Sequence, residues 1–302
     1  MGLIDAQVHA WTVEGPDFPW QLNYGSDEQN EQVRRHFNSD IFTHQRVVDA
    51  MDAVDVAAGI FVVPGIYMGD ITYALEAVRT HPGRFAIVAV ADADDPRLDA
   101  RIREWANYGC VLGVRITGYT DAAFEALHAG PQQRVLDACN RHGLPVNLYL
   151  PGHTAALAQV IRSFPDLQIV IDHLGLRQPP VFSEWLTDEP FSGIDELLPL
   201  ARYANVAVKA SGIPSLSRQP FPFDDLWPHL DRVLDAFGLD RVMWGSDFTR
   251  VHELVAYSDS VDYIRDSSRL TSAEKAQLMG GTARRVYRWE RLPEVSAPHA
   301  ER

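Results

Sequence analysis

The sequence predicts an α/β protein folded as a single (βα)8 barrel of the TIM type, with extended loops after strands one and six. Eight short apolar runs are spaced along the 302 residues and alternate with helical patterns. The runs are continuously apolar rather than alternating, as expected of parallel strands buried on both faces. An open doubly wound sheet would place a glycine-rich phosphate turn after strand one, and Gln7-Val8-His9-Ala10-Trp11 contains no glycine. Barrels of this class commonly reach about 250 residues or more with insertions. The barrel is therefore assigned to residues 1–292 and a frayed tail to 293–302.

Leu3 to Val8 is the first strand. Trp11 to Asp40, rich in Pro, Asn, Gly and charge, reads as a long loop leaving the barrel mouth, where long loops are usually functional. Thr43 caps a helix carrying Val47, Val48, Met51 and Val54. The strand Ala57 to Val63 stops at Pro64-Gly65, and a helix from Asp70 precedes the strand Phe85 to Val90. Asp95-Pro96 opens the next helix, Val111 to Ile116 is strand four, and Gln132 to Arg141 is a helix closed by Gly143. Strand five is Pro145 to Leu150; His153-Thr154 caps a helix; strand six is Gln168 to Asp172. A Pro-rich insertion, Gln178 to Ser192, leads to a helix from Ile194 to Tyr203 and strand seven, Val206 to Ala210. A helix from Phe223 to Phe237, strand eight from Arg241 to Trp244, and helices near Val255 to Asp266 and Ser272 to Trp289 complete the pattern.

Composition narrows the function classes. A formal charge of -14 without any Lys/Arg run argues against nucleic-acid binding, which needs a basic face. No apolar run approaches the roughly 18 residues of a membrane span, and the N-terminus lacks an export pattern, so a cytoplasmic location is expected. Cys110 and Cys139 form no Cys-x-x-Cys pair and read as buried thiols. A homo-oligomer is left open.

In a barrel, catalytic side chains stand at the C-terminal ends of strands. Gln7 and His9, Arg115, His173, Lys209 and Asp247 occupy such positions. Side chains two apart on a strand share a face, so Gln7 and His9 both address the mouth. His9, His173 and Asp247 with Gln7 form a metal-site pattern with one member altered, since a neutral amide is a poor ligand. A metal-free alternative makes Asp247 the general base while the histidines polarise a carbonyl. Arg115 and Lys209, charged within apolar strands, either pair with carboxylates or meet an anionic substrate. Trp11, Tyr67 and Tyr149 are candidate pocket walls. Asp247 also has the plainer reading of a helix cap.

Taken in order, Ile4-Asp5-Ala6-Gln7-Val8-His9-Ala10-Trp11, His81-Pro82-Gly83-Arg84-Phe85, Leu112-Gly113-Val114-Arg115, Asp172-His173-Leu174-Gly175, Val208-Lys209-Ala210-Ser211-Gly212 and Trp244-Gly245-Ser246-Asp247 resemble the amidohydrolase superfamily. The resemblance spans nearly the whole chain and lies with the branch of sugar and dicarboxylate lactonases and nonoxidative decarboxylases. It implies that the family's His-x-His pair falls on Gln7 and His9, its strand-six histidine on His173 and its strand-eight aspartate on Asp247. The implied cofactor is one divalent cation, Zn or Mn, with no organic cofactor. Two departures, Gln7 and the absence of a strand-five histidine in Asn147-Leu148-Tyr149-Leu150, put that cation in question. The implied activity is the opening of a small sugar or carboxylated lactone. Asp247 would activate water, His9 and His173 would stabilise the oxyanion, and Arg115 and Lys209 would hold an anionic or hydroxylated substrate. A metal-dependent decarboxylase of an aromatic or enoic acid is the alternative, and a barrel that only binds a small molecule is the third.

Overall fold

The computed structural model describes residues 2–22, 26–179 and 189–289. The expected tail and the middle of the insertion after strand six lie outside them. The strands are β1 (Leu3–Val8), β2 (Val56–Val62), β3 (Phe85–Val90), β4 (Val111–Thr117), β5 (Val146–Tyr149), β6 (Ile169–Ile171), β7 (Val206–Ser211) and β8 (Val242–Gly245). They lie in sequence order, each parallel to the next. Contacts across the β8–β1 seam close the barrel: the Asp247 N–H donates to the Gln7 carbonyl at 2.9 Å, and the Ser246 N–H donates to Asp5 Oδ1 at 2.8 Å. Gly245 makes that seam possible, because a Cβ there would stand 3.0 Å from Gln7 Cβ and 3.1 Å from Ser211 Cβ.

Alternate strand residues define the two cores. Ile4, Ala58, Ile60, Val88, Val170, Ala207 and Met243 form the inner one, plugged by Val286, Tyr287 and Trp289. Val8, Phe61, Ile87, Val114, Leu148 and Trp244 face the surrounding helices. The inner positions change from apolar to polar toward the strands' C-terminal ends, which puts the polar site at one end of the barrel.

The helices are α1 (Asp27–Ser39), α2 (His44–Ala53), α3 (Thr72–Thr80), α4 (Leu98–Asn107), α5 (Asp121–Ala129), α6 (Gln132–His142), α7 (Leu157–Ser163), α8 (Ile194–Leu197), α9 (Trp227–Phe237), α10 (Phe248–Val251), α11 (Tyr257–Arg265), α12 (Ser272–Ala276) and α13 (Thr282–Val286). The Thr43 side chain accepts from the Arg46 N–H, and Gly143 closes α6 in the left-handed region, both as expected. Two expectations are corrected, and one helix appears where none was assigned. The segment from Trp11 to Asp40 is not loop throughout: Ser26 and Gln29 form a capping box that starts α1. Residues before Gln132 hold α5, capped by Thr120. His153-Thr154 caps nothing; α7 starts at Leu157 without a side-chain cap, and Thr154 Oγ1 instead donates to the Gly175 carbonyl.

Candidate active site

Local backbone geometry aims two of the site residues. β6 ends at Ile171, and His173 and Leu174 follow in the left-handed region at φ 54°. Asp247, two residues past β8, has the same φ of 54°. A non-glycine residue held there is strained by roughly 1–3 kcal/mol, and such strain clusters at functional sites. Asp247 stands at the N-cap position of α10, yet its side chain makes no capping hydrogen bond. The cap reading therefore does not account for its side chain.

A continuous polar network runs inside the barrel mouth. Tyr287 donates to Asn147 Oδ1 at 3.0 Å, and Asn147 Nδ2 donates to Asp172 Oδ1 at 2.9 Å. Lys209 Nζ lies 3.2 Å from Asp172 Oδ1 and donates to Gln7 Oε1 at 2.8 Å. Holding that oxygen turns the amide nitrogen of Gln7 toward His9 Nε2, 3.4 Å away. Arg115 Nε donates to Asp172 Oδ2 at 2.8 Å, and its terminal nitrogen reaches His173 Nε2 at 3.3 Å. Arg250 Nε donates to Asp247 Oδ2.

Both histidine tautomers follow from what a carbonyl can do, which is only accept. His9 Nδ1 is 2.7 Å from the Val62 carbonyl, so it carries the proton. His173 Nδ1 lies 3.2 Å from the Ser211 carbonyl and 2.9 Å from Ser211 Oγ, and carries its proton likewise. In the neutral rings each Nε2 is then a lone pair. That of His173 faces Arg115. That of His9 faces Asp247 Oδ1 at 3.2 Å, and this carboxylate oxygen is buried without a hydrogen-bond partner among the described residues.

The residues do not fit the divalent cation implied by the sequence. His173 offers its Nε2 to a guanidinium and is turned with an N–H toward Ser211. Gln7 has its amide oxygen committed to an ammonium group. Among the described residues only His9 Nε2 and Asp247 Oδ1 address one point, two donors where a stable site needs three or four. Among the described residues no group of three His, Cys, Asp or Glu side chains is arranged to hold an ion. Lys209, Arg115 and Arg250 already bring positive charge to the two carboxylates.

Burial alone would raise both aspartates. For Asp172 the charges of Lys209 and Arg115 outweigh it and hold the carboxyl at about 2. For Asp247 the charge of Arg250 is the largest influence that outweighs burial and holds the carboxyl well below the usual carboxylate range. Burial depresses His173 to about 4, leaving it neutral at neutral pH, and raises Asp5 to about 6 against the hydrogen bonds from Ser246, Gln7 and Tyr257. A pH dependence of stability follows. Between about 6.5 and 4 the unfolded chain protonates His173 before the folded one does, which lowers stability as pH falls, while folded Asp5 takes its proton first and opposes that loss. Below about 4 the unfolded chain protonates the counterparts of Asp172 and Asp247 first, so their stabilisation is lost, about 2 kcal/mol from Asp172 alone. Urea midpoints measured from pH 7 to pH 3 should therefore fall most steeply below pH 4. A steepest fall near pH 6 would refute this ordering.

The network floors a cavity of about 340 Å3. His9, Arg115, Tyr149 and His173 line its inner end, and Trp11 its outer wall. Lys209 is fully buried beneath this floor and does not line the cavity, which moves it from the substrate-binding set to the supports of Gln7 and Asp172. Tyr67 stands behind the wall, its hydroxyl accepting from the Thr12 N–H at 3.2 Å. Tyr149 spends its hydroxyl proton on the Leu176 carbonyl and offers the cavity its ring. Sequence reasoning missed Arg250, which lines the cavity and clamps Asp247 three residues along the chain. It also missed Gln178, whose Oε1 accepts from Arg250 at 2.9 Å, and Asp5, whose carboxylate also accepts from the Tyr257 hydroxyl at 3.0 Å.

Comparison with known proteins bears on the family and the fold. A sequence profile of the amidohydrolase family matches residues 4–289. The L-fucono-1,5-lactonase of Burkholderia ambifaria is 31% identical over 95% of this chain and 96% of its own length. A crystal structure of an amidohydrolase from Burkholderia multivorans with bound zinc superposes with a TM-score of 0.74 at 22% identity, covering 97% of this chain and all of that one. The 5-carboxyvanillate decarboxylase of Sphingomonas paucimobilis superposes at 0.66 and 16% identity, over 95% and 99% of the two chains. At those identities the two structures establish the fold alone. No helix among the described residues is long and apolar enough to cross a membrane. The profile match and the Burkholderia ambifaria relative, both spanning the barrel, show that this chain belongs to the amidohydrolase family.

Proposed function

We propose that the chain hydrolyses a small lactone by general-base catalysis and without a metal ion. The observation that carries this reading is Asp247 Oδ1, without a hydrogen-bond partner among the described residues, facing the lone pair of His9 Nε2 at 3.2 Å. Two opposed acceptors share a proton well, so together they form a base for a water molecule that neither would deprotonate alone. This matters because Asp247, clamped by Arg250, is by itself a weak base. The lactonase relative supports the choice of ester.

The water oxygen attacks the lactone carbonyl carbon as its proton passes to the Asp247–His9 pair. The carbonyl π electrons move onto oxygen. Their charge meets the guanidinium groups of Arg115 and Arg250 rather than the histidines, whose N–H groups point away to Val62 and Ser211. Collapse of the adduct breaks the ring C–O bond, and the leaving alkoxide takes the proton back, giving a hydroxy acid. Gln7, fixed by Lys209, packs its amide nitrogen 3.4 Å from His9 Nε2 and steadies the ring.

Proton release from lactones, followed with a pH indicator in weak buffer, tests the reaction. Exhaustive chelation should leave the rate unchanged; loss on chelation with recovery on added zinc or manganese would overturn the metal-free reading. Arg250→Ala should raise KM for a carboxylated lactone about tenfold or more, since a guanidinium–carboxylate contact is among the stronger polar interactions. An unchanged KM would place the substrate anion elsewhere. The decarboxylase reading draws less support, because Asn147, at the strand-five position of a metal histidine, is committed to Asp172 and Tyr287.

A further inference from the structure

The cavity has two unlike halves. At the floor, Arg115 and Arg250 present guanidinium groups, and Gln178 presents an amide nitrogen that is buried and unpartnered among the described residues. These are donors, suited to a carboxylate or an ester carbonyl. The outer half is a wall of carbon from Trp11, Val33, Phe37 and Pro64. Its hydrogen-bonding capacity is already used: Trp11 Nε1 donates to the Phe37 carbonyl at 2.9 Å, which leaves the indole no polar atom for a ligand. The Trp11 and Phe37 rings meet edge to face at 5.1 Å, so the wall is a packed surface rather than loose side chains. The cavity's other polar side chains include the half-buried imidazole of His36 and the hydroxyls of Thr117, Tyr119 and Thr249. Helix α1, inserted between β1 and α2, brings Val33 and Phe37 to the mouth.

A polyhydroxylated ring filling such a cavity would put hydroxyls against Trp11, Val33 and Phe37 without partners, and each desolvated hydroxyl is unfavourable. An apolar arm would instead bury hydrocarbon there. We propose that the substrate is an amphipathic lactone whose ester end lies on the Arg115–Arg250 floor and whose apolar arm lies against Trp11, Val33 and Phe37, rather than a sugar lactone. This rests on the lactonase reading and specifies its substrate class.

The test pairs turnover with binding. Initial rates are compared for δ-phenyl-δ-valerolactone and glucono-δ-lactone, each corrected for spontaneous opening. Calorimetry then measures binding of their ring-opened acids, 5-hydroxy-5-phenylpentanoate and gluconate. The aryl lactone should have a kcat/KM about tenfold or more above the sugar lactone, and the aryl acid should bind correspondingly tighter. Phe37→Ala should erase most of that preference through KM. Val33→Thr, close in volume and so a safeguard should the larger change disturb folding, should narrow it by placing a hydroxyl on the wall. Equal or better handling of the sugar compounds would overturn the proposal, as would an aryl preference untouched by both variants. Tight aryl-acid binding with no turnover of either lactone would leave the amphipathic cavity standing and remove the lactonase reading. Turnover of both lactones without preference would do the reverse.

Discussion

Asp247→Asn should lower kcat by a factor on the order of 10²–10⁴, the range associated with losing a positioned general base. The substitution isolates the chemistry unusually well. Asn is nearly isosteric with Asp and tolerates the left-handed backbone that Asp247 adopts at φ 54°. Asp247→Ala would add a backbone penalty at the same position and blur the result. In the amide variant one face of the Asp247–His9 proton well becomes an N–H₂ or a weakly basic oxygen, so the attacking water has no pair to receive its proton. KM should change less than kcat, because the guanidinium groups that meet the substrate remain. Unchanged turnover on a lactone the wild type opens would remove Asp247 from the mechanism. A fall in kcat matched by collapse of the thermal transition would show a structural role instead.

Much of the fold was legible in the sequence because parallel strands buried on both faces leave unbroken apolar runs, as Ile60 to Val63 and Ala86 to Val88 illustrate. Helices α1 and α5 were not, because each buries a single residue, Val33 and Leu127 respectively, and so shows almost no apolar periodicity. Their caps, Ser26 with Gln29 and Thr120, were the signals available. Strand-end polar residues pointed to Gln7, His9, Arg115, His173 and Asp247, since a charge or imidazole closing an apolar run needs a partner or a function. The roles of the histidines were not legible, because each tautomer is set by a carbonyl distant in sequence, Val62 for His9 and Ser211 for His173. Arg250 escaped for a different reason: an arginine just past a strand end resembles any surface cation until its reach back to Asp247 is seen.

Lys209→Met should destabilise the protein by about 3–5 kcal/mol, the usual consequence of removing one partner of a buried ion pair. Asp172 would keep Arg115 and Asn147 but lose its nearest buried ammonium, and Gln7 Oε1 would lose its donor at full burial. Adding Asp172→Asn should recover part of the loss by removing the uncompensated charge, giving a coupling of roughly 1 kcal/mol or more in a double-mutant cycle read by urea denaturation. Activity should fall as well, since an unheld Gln7 amide no longer presents its nitrogen steadily to His9. The alternative is that Lys209 touches substrate. It predicts the opposite division: stability close to wild type, no coupling to Asp172, and a rise in KM. Full burial of Lys209 under the cavity floor favours the first division, because an ammonium that meets neither solvent nor ligand acts on the reaction only through the side chains it fixes.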